Sequence, residues 1–248
     1  MDHFLFTAMS GAKQIAYAQQ VNANNLANAR TSGFKQDFAD ARAMPVFGPG
    51  MPTRVYSMTE RPSSDFTPGA FISTGRELDV ALKTENGFLA VLDKNGVESY
   101  TRSGELQIDA TGLLRTGNGL MVLGDGGPIS IPPSDKIEIG SDGTITIHPV
   151  GQAETVTANI GRLKLVRPDL KGMEKNEQGL FVSKDGQPLE ASPDTYLVSG
   201  MTEGSNVNAI AAMTSMIDLA RQYEMQVKML KTAKELDDSS SQLLRMSG

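Results

Sequence analysis

Two histidines, His3 and His148, are the only imidazoles of the 248-residue chain, and neither has companions with which to do chemistry. His3 stands at a predicted helix start. His148 ends the run Thr144-Ile145-Thr146-Ile147-His148, whose alternation turns both isoleucines inward and the imidazole outward. A Ser/His/Asp triad or a histidine metal site needs three convergent groups, and the spacing offers none. The absence of cysteine removes disulfides, thiolate ligands and cysteine nucleophiles together. The acidic stretches Asp93-Lys94-Asn95-Gly96 and Asp125-Gly126-Gly127 lack the spaced oxygens and terminal Glu of a calcium loop, so they read as turns. Gly117-Asn118-Gly119 lies between strands with no helix after it, which excludes a dinucleotide or phosphate loop. The expected catalytic, cofactor-binding and metal residues are therefore none, and the chain reads as a non-enzyme. Only the fold decides whether two of the 29 carboxylates meet as a carbohydrate-cleaving pair.

The elements that would position any site differ sharply between the ends and the middle. Phe4 to Lys35 reads as a long helix ending in a block of asparagines, with Gly33-Phe34 as its stop. Leu5, Ala8, Ala12, Ile15, Gln19, Asn22 and Leu26 fall at steps of three and four on one stripe. That stripe carries few large apolar side chains, so it needs a partner face. Gly11 either permits close helix approach or is tolerated on a solvated face. Residues 36–69 lose all periodicity while prolines recur, and are expected to form an extended connector. Within it, Pro45-Val46-Phe47-Gly48-Pro49-Gly50-Met51-Pro52 is apolar enough to dock on a neighbour.

Residues 70–202 switch to short β-rich runs separated by glycine turns, predicting an all-β domain. The expected strands are 78–82, 88–92, 98–102, 113–116, 120–123, 144–148 and 163–167. Asn95-Gly96, Asp142-Gly143 and Asp185-Gly186 read as hairpin turns. Residues 203–248 return to the helix period. Met213, Met216, Ala220, Tyr223, Val227 and Leu230 keep three-and-four spacing and offer the missing partner face for residues 1–35; beyond Leu230 the stripe steps on through Ala233, Leu236, Ser240 and Leu243. The fold class expected is thus α+β and multi-domain, with the terminal helices paired as a coiled coil around an all-β central domain and an extended connector.

The net charge of −6, with no basic run, argues against nucleic acid, and no apolar stretch is long enough to span a membrane. Met1-Asp2-His3 lacks the basic start of a cleavable secretory signal.

The stretch Ala23-Asn24-Asn25-Leu26-Ala27-Asn28-Ala29-Arg30-Thr31-Ser32-Gly33-Phe34-Lys35 closely resembles the signature of the bacterial flagellar rod and hook family. Two further stretches resemble the same family: Leu78-Asp79-Val80-Ala81 with Gly87-Phe88 and Tyr100-Thr101-Arg102-Ser103-Gly104, and Gly204-Ser205-Asn206-Val207-Asn208 leading to Arg221-Gln222-Tyr223-Glu224. Together they bracket nearly the whole chain. The opening Met1-Asp2, Ala8-Met9-Ser10-Gly11-Ala12, the length and Gly50-Met51-Pro52-Thr53-Arg54 look most like proximal-rod members, with distal-rod members as the rival. Arg30 stands where the family usually has Asn, and Ala211-Ala212-Met213 replaces a commonly more acidic stretch.

The resemblance implies a structural protein of the flagellar basal body, exported by the flagellar type III apparatus without a cleaved signal. It would assemble helically, with copies of itself and other rod proteins, into the rod that crosses the periplasm and transmits torque. The terminal helices would form a coiled-coil inner layer, ordered on assembly, and the β domain an outer one. Assembly residues expected on this basis are Leu5, Ile15, Asn24, Asn25, Leu26, Asn28, Gly33 and Phe34 at the N-terminal end. At the C-terminal end they are Met216, Arg221, Tyr223, Val227 and Leu230. No cofactor is implied. The competing readings are a periplasmic peptidoglycan-processing enzyme that uses the helices to oligomerise, and a free-standing coiled-coil adhesin. The connector prolines and the lack of long repeats count against the adhesin.

Overall fold

A computed structural model describes residues 2–45, 55–59, 63–152 and 156–246 of the chain. Two compact units share the chain. The first holds helix α1 (Asp2–Ala27), strands between Asp37 and Ser64, and helix α2 (Ala209–Met246). The second holds Asn28–Gln36 and Asp65–Val207 and is β-rich. The architecture is α+β, with the β-rich region between two helices.

In the first unit α1 is favoured by its alanines and glutamines and by the absence of proline before Pro45. Its predicted stripe is the face turned inward: Ala8 and Ala12 are buried, and Ile15, Gln19, Asn22 and Leu26 are half-buried. The Asn22 amide donates to the Ala212 carbonyl of α2 at 2.7 Å. Gly11 faces α2, and a Cβ there would lie 3.4 Å from the Gln226 amide, in ordinary contact, so the helix approach does not itself demand glycine. The helix ends at Ala27, eight residues short of Lys35. The asparagines explain the difference, because their amides hold backbone outside the helix. Asn25 donates to the Asp37 carbonyl at 2.8 Å and accepts the Asp37 N–H at 2.9 Å, folding the chain back.

On α2 the helix begins four residues after Ser205. Asn208 caps it, its Oδ1 accepting the N–H groups of Ile210 and Ala211 at 3.1 and 3.2 Å. The inward face runs through Ala212, Met216, Leu219, Gln226, Leu230 and Ala233. Met213, Ala220, Tyr223 and Val227, expected inward, are exposed. The helix is apolar on more than one side, so spacing alone could not choose between neighbouring stripes.

The described parts of residues 36–69, expected as an extended connector, pair as strands. Ala41–Pro45 pairs antiparallel with Val55–Thr59, setting Arg42 opposite Met58 and Met44 opposite Tyr56, and α1 packs against the second of these strands. Asp37–Phe38 pairs with Ser63–Ser64. The alternation in Ala41-Arg42-Ala43-Met44 and Val55-Tyr56-Ser57-Met58 is short but period two, which suffices for a hairpin. The apolar stretch expected to dock lies, after Pro45, outside the described residues, as does Gly50-Met51-Pro52-Thr53-Arg54.

In the β-rich unit the main sheet is antiparallel, with Phe88–Leu92 at its centre, flanked by Glu98–Thr101 and Met121–Gly124. Five strands expected from the sequence lie in this sheet, as Phe88–Leu92, Glu98–Thr101, Leu114–Thr116, Met121–Gly124 and Leu165–Val166. Asn95-Gly96 turns between the first two, with Gly96 at φ +78°. Thr144–Pro149 sits between Ser134–Ile139 and Ala158–Arg162 in a three-stranded sheet, and Ile145 and Ile147 are buried. Their side chains join Leu89, Val91, Leu106, Leu114, Val122, Leu163 and Leu165 in the larger core. A second core packs Phe66, Phe88 and Phe181, with ring centroids 5.2 to 6.2 Å apart.

Candidate assembly site

The returning chain closes the β-rich unit. Leu197–Ser199 pairs with Val80–Leu82, and Met201–Glu203 pairs with Phe71–Ser73. At the end of that second pair Glu203 reaches an interior site. Its side chain is fully buried, as are those of Lys35 and, to within 1%, Arg102. Lys35 Nζ donates to Glu203 Oε1 at 2.6 Å and to the Thr67 carbonyl at 2.7 Å. Arg102 Nε donates to Glu203 Oε2 at 2.7 Å, and the Gly69 N–H donates to Oε1 at 3.0 Å. The remaining guanidinium donors reach the carbonyls of Leu82, Thr84, Glu85 and Gly87. Two cations thus share one carboxylate. Burial pushes the Lys35 ammonium below its ordinary value, against the opposing hydrogen bond and charge of Glu203.

The backbone around this site runs side by side. The Gly33 N–H donates to the Glu203 carbonyl at 2.7 Å, and Gln36 N–H donates to Asn206 Oδ1 at 2.7 Å. Asn206 Nδ2 donates to the carbonyls of Asp65 and Thr67. Gly33 has φ +68°, and a Cβ there would collide with the backbone of Arg102 and Ser103. The Lys175 ammonium lies 4.0 Å from the Phe34 ring centroid and donates to the Lys35 carbonyl.

The residues expected to assemble therefore divide into several groups. Ile15, Asn25 and Leu26 of α1, with Met216 and Leu230 of α2, lie on inward or half-buried faces of the first unit. Arg221, Tyr223 and Val227 are exposed on α2, and Asn24 on α1. Asn28 belongs to the β-rich unit, its Oδ1 accepting the Thr31 hydroxyl at 3.0 Å. Gly33 and Phe34 stand beside the buried ion site. The Leu5 side chain lies outside the described residues, as do those of His3 and Leu243. Lys35, Arg102, Glu203 and Asn206 were not expected as a cluster, although each lies within or beside a stretch that carries the family resemblance. A charged residue held inside such a motif is the signal that was available.

His148 is half-buried opposite Lys136. Among the described residues no group of three His, Asp or Glu side chains could hold an ion. No helix among them is long and apolar enough to cross a membrane.

Comparison with known families matches three models along the chain. Residues 5–35 match the flagella basal body rod protein model, 84–147 the flagellar hook protein FlgE/F/G D1 domain, and 198–243 the flagellar basal body rod FlgEFG protein C-terminal model. Over the full length of both chains, 42% of residues are identical to the flagellar basal-body rod proteins FlgF of Escherichia coli K12 and of Salmonella typhimurium LT2. Similarity to flagellar basal-body rod protein FlgG of Bacillus subtilis 168 is lower, at 31% identity over 94% of this chain and 95% of that one. With matched segments at both ends and in the β-rich middle, and with this identity along the whole length, the chain belongs to the flagellar basal-body rod protein family.

Proposed function

We propose that the chain is a structural subunit of the flagellar basal-body rod, in its proximal part, and that it works by assembling through its two long helices. The observation that carries this reading is a second stripe on each helix, turned away from the pair. On α1 it runs Phe6, Met9, Lys13, Ala16, Gln20, Ala23 and Ala27, all exposed, at alternating steps of three and four. On α2 it runs Ile210, Met213, Ile217, Ala220, Glu224 and Val227, also exposed at the same spacing. Ile210 is 76% exposed and Ile217 54%, which leaves large apolar side chains in water on a helix pair that already has one packed face. Neighbouring copies and other rod proteins would cover these stripes as a coiled-coil layer, in head-to-tail contacts that build an open helix.

In this reading the interface comprises Asn24, Arg221, Tyr223 and Val227 together with the two outer stripes. Asn25, Leu26, Gly33 and Phe34 shape the surface from within. The place of work is the periplasmic rod, reached through the flagellar export apparatus. The test is Ile217→Asp in the intact chain. The purified monomer should keep its melting temperature, because Ile217 is exposed, while the strain carrying it assembles no complete rods and does not swim. Normal basal bodies in that strain would reject the proposal.

A further inference from the structure

The ion site beside Gly33 joins three distant parts of the chain, since Glu203 lies 168 residues after Lys35 and 101 after Arg102. The two cations come first in the chain, and their shared anion comes last. Until residue 203 is in place, Val80–Leu82 and Phe71–Ser73 also lack their partner strands. The Gly33 N–H and the Gln36 N–H then lack their acceptors on Glu203 and Asn206. Closing residues 28–36 over the β-rich unit at that stage would bring a lysine and an arginine into one dry site with no carboxylate between them. The carboxyl of Asp65 acts on Lys35, but it makes no ion pair at the distance of Glu203.

We propose that Lys35, Arg102 and Glu203 form a charge-balance latch, which holds the β-rich unit open until the returning strand at 197–206 arrives and then locks both chain passages together. The interior strands Phe88–Leu92, Leu114–Thr116, Met121–Gly124 and Thr144–Pro149 take their strand partners from outside the three late segments and form the body on which the latch closes, with Arg102 meeting it 5.9 Å from the Phe88 ring centroid. The latch therefore sets an order: body first, then segments 31–36, 71–82 and 197–206 as one step. A size-based plug would not have this dependence, because apolar side chains would adhere without a counter-ion.

The arithmetic of charge distinguishes the latch from ordinary packing. Lys35→Met leaves one cation with one anion, whereas Glu203→Gln leaves two buried cations and no anion. The test is amide hydrogen exchange of the full chain followed by mass spectrometry. In Glu203→Gln the three segments should lose protection together by about 100-fold or more, while 88–92 and 144–149 stay protected. Lys35→Met should lie within about tenfold of the parent, and Lys35→Met combined with Glu203→Gln should recover at least about tenfold of the loss. Pulse labelling of the unaltered chain during refolding tests the order without any substitution, and the three segments should gain protection last and at one rate. The latch is overturned if Glu203→Gln exchanges like the parent, if the double variant is no better than Glu203→Gln, or if 31–36 is protected as early as 88–92.

Discussion

Replacing Arg102 by lysine conserves the charge of the buried site and removes only the geometry of the guanidinium. The structure gives Arg102 five acceptors: the carbonyls of Leu82, Thr84, Glu85 and Gly87, and Glu203 Oε2. An ammonium has three donors on one atom, so at least two of the five acceptors lose Arg102; the carbonyls of Thr84 and Glu85 lie at the part-buried edge of the site, and that of Thr84 keeps the Gly87 N–H. A buried acceptor left unmet costs about 1–3 kcal/mol, and with Thr84 still bonded the loss corresponds to one such acceptor, roughly 2 kcal/mol. At about 2–4 °C per kcal/mol for a unit of this size, the β-rich unit should melt about 4–8 °C lower. Differential scanning calorimetry of the full chain reads this directly. The α1 and α2 helices supply a separate circular dichroism signal, so loss confined to the β-rich unit is recognisable. A melting point within about 2 °C of the parent would mean that the carbonyls are met in another way, and that the fork of Arg102 is not what holds Leu82 to Gly87 in place.

Two further outcomes follow from single sites. Asn25→Ala removes both bonds to the Asp37 backbone at once, and should lower the stability of the helical unit by about 2 kcal/mol in urea unfolding followed at 222 nm. Hydrogen bonds from Thr111 and Arg115 hold the Asp109 carboxyl well below the usual carboxylate range, and those from Thr144 act likewise on Asp142. A carboxyl depressed on folding contributes stability above its ordinary pKa of about 4 and loses it as the pH falls toward the folded value. The melting temperature of the β-rich unit should thus fall with pH below about 4. Replacing both Asp109 and Asp142 by asparagine should flatten that slope, and an unchanged slope would count against these two turns as the source of acid sensitivity.

What could be read from the sequence depended on whether a residue's partner was near it in the chain. Ile145 and Ile147 were legible because a two-residue period needs no distant information, and the turn glycines at 96 and 143 were legible for the same reason. The strand Ser134–Ile139 was missed because four of its six residues are polar and it is open on one edge. The inner stripe of α1 was found, since its small and large apolar residues favour one side. The stripe of α2 was displaced by about one position, because Met213, Ile217 and Val227 make its outer side as apolar as its inner one. Lys35 and Glu203 were beyond reach: an isolated charge is by default a solvated one, and nothing local to either residue announces a counter-ion 168 positions away.

That distance also bears on why the site is ionic at all. A buried ion pair is often no more stabilising than apolar side chains of the same volume, since each charge must first leave water. Stability alone would therefore favour replacing the three charged residues by methionine and leucine. The ionic version differs in being conditional. Residues 28–36 can adhere to the β-rich unit only in the one register that brings Lys35 against Glu203, with Gly33 against the Arg102 backbone and Gln36 against Asn206. A slip by one residue would strand two cations and several backbone groups in a dry interior.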